Sequence, residues 1–188
     1  FENVTLVGVL AAGLSLYVDS FRAAERTFSL LTQVVGRAGR GEKAGRAVIQ
    51  TYTPDNDVIV SAAHQDYAAF YQSELRMRRI RRYPPFADIF TLTVSGGEGG
   101  AVLRAAAKLR DGMRMGLAYP SAANMGVEVL GPAPAPILKM NNRYRYRVLW
   151  VGKNDHQTRE LMGYYLKAFY NQKENRSLSL FIDCNAMD

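Results

Sequence analysis

The sequence FADIFTLTVS at residues 86–95, followed by GGEGG at 96–100, allows the most direct prediction of a fold. The apolar and β-branched residues predict a strand, and the glycines predict a turn before a helix over Ala101–Leu117. The remaining predicted elements are strands at Val127–Leu130, Arg143–Val151 and Leu178–Asp183, and a helix at Asp155–Tyr170. The order β-α-β-β-α-β is typical of a ferredoxin-like α+β domain, which we assign to residues 86–188.

The N-terminal part of the chain predicts an α/β structure instead. Residues 4–10 (VTLVGVL) predict a buried strand, and residues 47–52 (AVIQTY) predict a second strand. Apolar residues spaced by three and four between Phe21 and Val35 predict a helix between them, capped by Asp19 or Ser20. Two strands joined through a helix favour a parallel β-α-β unit within residues 1–56.

A single long helix is predicted from Asp57 to Arg82. It should end at YPPF, residues 83–86, because the residue before a proline avoids the helical conformation. We interpret residues 57–85 as a connection between the two domains.

Composition narrows the function classes. The chain has 188 residues, 48% of them hydrophobic, which predicts globular domains and excludes intrinsic disorder. One cysteine cannot form an internal disulfide, and two histidines do not suffice for a structural zinc site. No apolar run is long enough to span a bilayer, so we expect a soluble, cytoplasmic protein without a membrane partner. Because the chain starts at Phe1 directly before a strand, we expect a fragment of a longer protein.

The charge pattern suggests an anionic partner. The formal net charge is +7, and residues 87–152 carry eight basic and four acidic groups. In RYRYR, residues 143–147, alternation on a strand would place Arg143, Arg145 and Arg147 on one face. Such a row suits nucleic-acid phosphates. The intervening tyrosines would pack in a core, or alternatively stack on unpaired bases.

Two further basic motifs occur in the first half of the chain. In QVVGRAGR, residues 33–40, Gln33, Arg37 and Arg40 would project from one helix face and could bind a nucleotide phosphate. The alternative is that these cations only complement the helix dipole. In RMRRIRR, residues 76–82, five arginines spread around a helix end. They could contact DNA, pair with acids elsewhere in a longer protein, or be solvated.

These motifs together resemble a known family. QVVGRAGR is similar to the sixth motif of superfamily-two helicases. The order and spacing of this motif and five other segments resemble the C-terminal part of the bacterial replication-restart helicases, the primosomal protein N′ (PriA) family. Those segments are VTLVGVL at 4–10, FRAAERTF at 21–28, IQTY at 49–52, YPPF at 83–86 and GPAPAPI at 131–137.

The resemblance implies part of a RecA-like second helicase lobe followed by a DNA-binding domain. It also implies ATP-dependent 3′-to-5′ DNA unwinding by the parent protein, with Arg40 as arginine finger, Arg37 as a second phosphate contact and Gln33 and Gly36 in the same nucleotide-binding motif. ATP and Mg²⁺ would be bound mainly by an upstream lobe, and zinc would be held only in an upstream insertion. The sequence has no phosphate-binding loop of its own, so we expect the fragment alone to be inactive.

The resemblance further implies partners: branched or forked DNA, other primosome proteins, and the acidic tail of single-stranded-DNA-binding protein. We assign Lys139 and Arg143 as first DNA contacts and Arg145 and Arg147 next, with the proline-rich loop at 132–136 holding Lys139. Arg159 is the candidate for the acidic tail. One departure from the family is Gly13, where an acidic residue would be expected.

Two alternatives belong to other classes. The chain could be a stand-alone ferredoxin-like nucleic-acid-binding or adaptor module with no part in ATP turnover. A small-molecule enzyme is disfavoured, because the sequence shows no paired carboxylates, nucleophile–base set or metal cluster. His156 and Cys184 are predicted to be structural or neutral.

Overall fold

The computed structural model describes residues 4–38, 45–120, 122 and 124–186. The chain divides into two compact units, Phe1–Arg81 and Arg82–Asp188, which we call the N-terminal and C-terminal units. Their described residues form five α-helices and two β-sheets, so the class is mixed α/β.

The N-terminal unit contains a parallel strand–helix–strand arrangement, which confirms that prediction. Strand β1 (Leu6–Val9) pairs in parallel with β2 (Arg46–Ile49), and helix α1 (Ala23–Val35) lies between them in the chain. The prediction that β1 is buried is wrong, since Leu6 is 63% exposed. The reason is that Val9 and Ile49 pack on α1, whereas the alternate side chains point to the face that no described helix covers.

The predicted single helix over 57–82 is two helices, α2 (Asp57–Ala63) and α3 (Tyr67–Arg81). Between them Gln65 has a φ of +54°, and the Asp66 carboxylate accepts a hydrogen bond from the Ala69 amide at 2.9 Å. Asp66 therefore caps a new helix instead of continuing the old one. Both helices belong to the N-terminal core, where Phe70 stacks on Phe28 with ring centroids 4.1 Å apart.

The C-terminal unit is built on a four-stranded sheet. Its elements are β3 (Asp88–Gly96), α4 (Gly99–Leu117), β4 (Glu128–Met140), β5 (Arg143–Gly152), α5 (His156–Asn171) and β6 (Ser179–Cys184). The strands lie in the order β4-β5-β3-β6, and every neighbouring pair is antiparallel. The element order is the one that the sequence predicts.

Both helices of this unit cover the same face of the sheet. Alternate strand residues, among them Leu92, Val94, Val148 and the fully buried Trp150, pack on α4 and α5 in one hydrophobic core. The other set of side chains points to the opposite face, which we call the open face.

The proline-rich stretch is not the loop that the sequence predicts. Residues 131–137 lie within β4, which is the edge strand and pairs irregularly with β5 between Leu130 and Ala133 and between Pro134 and Lys139. Prolines are tolerated here because an edge strand does not need every N–H for pairing. Gly131 has a φ of +100°, and a Cβ at this position would lie 2.8 Å from the Arg147 carbonyl oxygen, so only glycine fits.

Candidate nucleic-acid interface

A row of arginines lies on the open face. Arg145 pairs with Ser95 of β3, and Arg147 pairs with Thr93, so both arginines share the face opposite the helices. Tyr144 and Tyr146 pack against the hydrophobic core on the other face. The predicted separation of arginines from tyrosines is thus confirmed, and base stacking on these tyrosines has no support from their position.

Arg143 is occupied in holding the sheet together. Its Nη2 donates to the Ser95 carbonyl at 2.9 Å and to the Ser179 hydroxyl at 3.0 Å, and its Nε donates to the Ser95 hydroxyl at 3.1 Å. These bonds link β5 to β3 and β6. A guanidinium with five N–H groups can still face an anion while it makes three such bonds, but its removal would disturb the sheet.

Arg145 is the arginine of the row best placed for an external partner. Its side chain makes no hydrogen bond or ion pair with any part of the chain that the structure describes, and it is half-buried beside the small side chains of β3. Two acidic residues occur on the same face at its far end, Glu128 opposite Val151 and Asp183 opposite Thr91. The positive charge is therefore concentrated at the end of the face formed by Arg143, Arg145 and Arg147.

Lys139 does not belong to this row. It pairs with Tyr144 across the β4–β5 hairpin, and its Nζ lies 4.9 Å from the centroid of the Tyr144 ring. Lys139 therefore lies on the same side of the sheet as Tyr144, opposite the open face. The hairpin turns through Asn141 and Asn142, both with positive φ, as a two-residue turn of type I′ requires. Strand pairing and this turn, rather than a rigid proline loop, position Lys139.

Phe181 is a surface residue that the sequence reasoning missed. It lies on β6 opposite Thr93, in line with Arg147 across three strands, and is 58% exposed. Its neighbours Leu180 and Ile182 point into the core. The sequence does contain a signal for it. Leu178, Leu180 and Ile182 alternate as inward residues of a strand, which predicts that Phe181 points outward.

The helicase-like motif lies at the end of α1. Gln33 occupies the last turn and is exposed, but the helix ends at Val35 and Arg37 lies in the turn that follows. The prediction that Gln33 and Arg37 share a regular helix face is therefore wrong. The Arg37 and Ala38 amides bond to carbonyls three residues back, which tightens the chain out of the α-helix. Arg40 lies outside the described residues.

Gly36 at the end of α1 has close neighbours. A Cβ there would lie 3.2 Å from the Thr32 carbonyl oxygen and 3.4 Å from Nε2 of Gln65. A small side chain at this position would therefore meet its own helix turn and a glutamine side chain that can move, so the described packing alone does not require glycine.

The cluster of five arginines is partly satisfied within the N-terminal unit. Arg78 bonds to Glu74 at 2.7 Å and to Glu25 at 3.0 Å. Burial opposes its charge, but the two carboxylates outweigh that effect and raise the pKa of Arg78. The carboxylates that pair with Arg78 therefore belong to this chain. Arg82, in the C-terminal unit, donates to the Gly126 carbonyl.

Arg159 is exposed on the first turn of α5, where its Nη1 donates to the carbonyl and the side-chain oxygen of Asn154. It does not line the open groove of about 330 Å³ between α4 and α5, whose cationic lining residue is Lys108. The structure therefore does not bring Arg159 beside the apolar groove between α4 and α5.

The two remaining candidates have local contacts only. His156 Nδ1 lies 3.4 Å from a Glu160 carboxylate oxygen at the exposed start of α5. Cys184 is a free cysteine near Asp88, and partial burial together with that carboxylate raises the pKa of its thiol. A raised thiol pKa does not favour a nucleophile.

Two other kinds of site have no candidate among the described residues. Within the described ranges, no three or more histidine, cysteine, aspartate or glutamate residues are grouped so that they could hold a metal ion. None of the described helices combines the length and the hydropathy needed to cross a membrane.

Comparison with known proteins identifies the family. A family model described as "Primosomal protein N C-terminal domain" matches residues 79–187. The Replication restart protein PriA of Bacillus subtilis (strain 168) is 40% identical over 187 residues, which is 98% of this chain and 22% of that protein. The PriA of Rickettsia conorii is 36% identical over 166 residues, or 88% of this chain and 24% of that protein.

A third relative, the PriA of Synechocystis sp., is 42% identical over 150 residues, which is 78% of this chain and 17% of that protein. The chain thus spans about a fifth of the length of these relatives. Since the family model covers more than half of the chain, the chain belongs to the PriA family of replication restart proteins.

Proposed function

We propose that this chain is the C-terminal part of an ATP-dependent, cytoplasmic replication restart helicase and that its C-terminal unit binds the backbone of branched DNA. The observation that supports this most is the arginine row on the open face. Residues two apart on a strand are about 6.6 Å apart on the same face, so successive arginines can reach successive phosphates along one backbone. Family membership supports the replication role.

The contacts within the row suggest a division of work. Arg145 supplies a cation without an internal partner among the described residues, whereas Arg143 positions the strands beneath it. Lys139, on the other side of the sheet, would contact DNA only if the backbone wraps around the β4–β5 hairpin. We therefore rank Arg145 and Arg147 above Lys139 as phosphate contacts, which reverses the order that the sequence suggested.

We also assign finer folds to the two units. The strand order β4-β5-β3-β6, with helices after β3 and β5, supports a ferredoxin-like C-terminal unit. The parallel β1–β2 pair joined through α1 supports a RecA-like lobe in the N-terminal unit. An experimental structure of the full-length protein with β1 and β2 inside a larger parallel sheet would test the second assignment.

The DNA proposal is tested by fluorescence anisotropy with a forked DNA and a linear duplex of equal length and composition. We expect tighter binding to the fork and weaker binding of both DNAs by Arg145→Ala. The matched control is Arg104→Ala, because Arg104 is 71% exposed on α4, on the other side of the sheet. Loss of affinity in Arg104→Ala but not in Arg145→Ala would overturn the proposed interface.

A further proposal concerns ATP. Gln33 and Arg37, exposed at the end of α1, and Arg40 would contact the phosphates of ATP held with Mg²⁺ by other parts of the full-length protein. A cation on the transferring phosphoryl group stabilises charge in the transition state, which is worth orders of magnitude in rate. We expect Arg40→Ala and Arg37→Ala to reduce DNA-stimulated ATPase activity of the full-length protein severely. Unchanged ATPase activity would contradict this role.

Protein partners are a separate proposal. We propose that other primosome proteins and the acidic tail of single-stranded-DNA-binding protein dock on the C-terminal unit, with Arg159 as one contact. The test is binding of a labelled tail peptide to wild-type chain, Arg159→Ala and Lys108→Ala. Weaker binding only in Lys108→Ala would move the site to the α4–α5 groove.

A further inference from the structure

On the open face, longer side chains stand on either side of the small residues of the central strand, and we call this arrangement the trough. Its floor is the central strand β3, where Thr93 and Ser95 are small and buried. One side is formed by Arg145 and Arg147 on β5, and the other by Phe181 on β6. Since neighbouring strands are about 4.8 Å apart, the arginines and the phenylalanine stand on backbones about 10 Å apart.

The two sides of this trough offer different chemistry. The arginines can bind phosphate oxygens, whereas Phe181 offers only the π-face and edge of an exposed ring. A lone exposed phenylalanine would need no explanation. An aromatic ring that lies across a polar floor from a row of cations, however, presents the two groups that a nucleotide needs, one for its base and one for its phosphate.

We propose that the open face binds an unpaired nucleic-acid strand, with a base stacked on Phe181 and its backbone along Arg145 and Arg147. This inference rests on the proposed DNA-binding function and specifies its substrate. In a duplex both faces of each base are already stacked, so only an unpaired strand can offer a base to Phe181.

Charge on the same face limits where the strand can lie. Asp183 is two residues beyond Phe181 on β6 and is exposed, opposite Thr91. Glu128 lies at the corresponding end of β4. Both carboxylates would repel phosphates, so the strand should pass over the end of the trough formed by Ser95, Ser179 and the arginines. Asp183→Asn should accordingly strengthen binding.

The test uses the Phe181→Trp variant of the full 188-residue chain. It is titrated with an unlabelled oligothymidylate while tryptophan emission is measured. This chain of 188 residues has one tryptophan, Trp150, which is 0% exposed in the core, so its background emission should not change. We expect the new tryptophan to be quenched by oligothymidylate but not by an abasic oligonucleotide of equal length and charge. The control is Tyr164→Trp, since Tyr164 is 63% exposed on α5 on the other side of the sheet.

Binding itself is measured in parallel by anisotropy of labelled versions of both oligonucleotides. If both bind equally well and neither quenches Phe181→Trp, base stacking is overturned and the phosphate interface survives. If neither these oligonucleotides nor forked DNA binds at low salt, the proposed DNA-binding function fails as well. Equal quenching of Tyr164→Trp would show that the effect is not specific to the open face and would also overturn the inference.

A second variant guards against misfolding of the first. Phe181→Leu keeps an apolar side chain but removes the ring, and we expect about tenfold weaker binding of oligothymidylate with no change for the abasic oligonucleotide. Thermal unfolding followed by Trp150 emission establishes that the unit is folded. Unchanged affinity for oligothymidylate in a folded Phe181→Leu variant would contradict the inference.

Discussion

Arg143 and Arg145 lie two residues apart on β5 and differ in what they contact. Arg143 donates three hydrogen bonds to Ser95 and Ser179, whereas the Arg145 side chain bonds to none of the described residues. Identical side chains on one face can therefore serve the fold and the ligand separately. Mutations can distinguish these roles, because stability and DNA affinity should change independently.

We predict that Arg143→Ala lowers the free energy of unfolding by about 1–3 kcal/mol, because it leaves polar groups of Ser95 and Ser179 without their donor. Arg145→Ala should change it by less than about 0.5 kcal/mol, as is usual for a surface position. Urea unfolding followed by Trp150 emission measures both. Equal destabilisation by the two variants would contradict the separation of roles.

A second prediction concerns the close packing of α4 on α5. A Cβ at Gly116 would clash with the hydroxyl of the buried Tyr165, so Gly116→Ala should destabilise the chain by about 1–3 kcal/mol. Adding Tyr165→Phe removes the hydroxyl and should largely restore stability. The control is Gly112→Ala, where nothing lies within 4 Å and helix propensity should add about 0.5–1 kcal/mol. If the double variant Gly116→Ala/Tyr165→Phe is no more stable than Gly116→Ala, this packing is contradicted.

Some of the candidate site can be predicted at the residue scale. Alternation along RYRYR predicts which face the arginines occupy, because the side-chain period of a strand is fixed. The three hydrogen bonds that Arg143 donates cannot be predicted, since they depend on the register of three strands that are distant in sequence. Lys139 appears adjacent to the arginine row in sequence but pairs with Tyr144 on the other side, because the hairpin register sets its face.

At the scale of elements, local signals decide where helices begin and end. Asp66 starts α3 and divides the helix predicted over 57–82, and Asp155 starts α5 by accepting a hydrogen bond from the Thr158 amide at 2.8 Å. The sequence contains both capping residues. The apolar spacing across residues 57–82 nevertheless predicts one continuous helix, so the cap at Asp66 is not recognised. The sequence predicts a shorter β4 strand than the structure shows, because prolines are typical of loops, whereas an edge strand accommodates them.

We predict an acid-dependent loss of stability from Asp155. The hydrogen bond from Thr158 lowers the pKa of this carboxyl in the folded chain. Its contribution is therefore complete above the unfolded-state pKa of about 3.9 and is lost as the pH falls through the lower folded-state value. Asp155→Asn keeps an N-cap acceptor but does not titrate.

The measurement is the melting temperature by far-UV circular dichroism between pH 7 and pH 2. The Asp155→Asn variant should lose less stability than wild type over the acidic part of this range. An identical pH dependence in the two proteins would contradict the assigned role of the carboxylate.

At the scale of the whole molecule, the described residues form two hydrophobic cores that share no residue. One contains Phe28 and Phe70 from the N-terminal unit, and the other contains Trp150 and the inward side chains of the four-stranded sheet. The sequence predicts two bodies from a change in element order and a Pro-Pro pair, but it assigns α2 and α3 to a connection. Their place in the N-terminal core depends on long-range contacts such as the Phe28–Phe70 stack, which no local pattern reveals.

We predict that the two cores respond separately to damage. Phe28→Ala removes a buried ring and should cost about 3–5 kcal/mol in the N-terminal unit. Hydrogen–deuterium exchange by mass spectrometry should then show faster exchange over residues 23–81 and unchanged exchange over 88–96 and 143–152. Equal acceleration in both regions would show that the chain unfolds as one cooperative body.

Contact between the open face and the DNA backbone is measured by the salt dependence of forked-DNA binding by wild-type chain, Arg145→Ala and Arg104→Ala. Each phosphate contact contributes about 0.9 to the slope of log affinity against log salt. We predict that Arg145→Ala reduces the slope by about one unit, while Arg104→Ala, on the helix side, leaves it unchanged. A slope for Arg145→Ala equal to that of wild type would mean that the open face of the C-terminal unit does not contact the DNA backbone through Arg145.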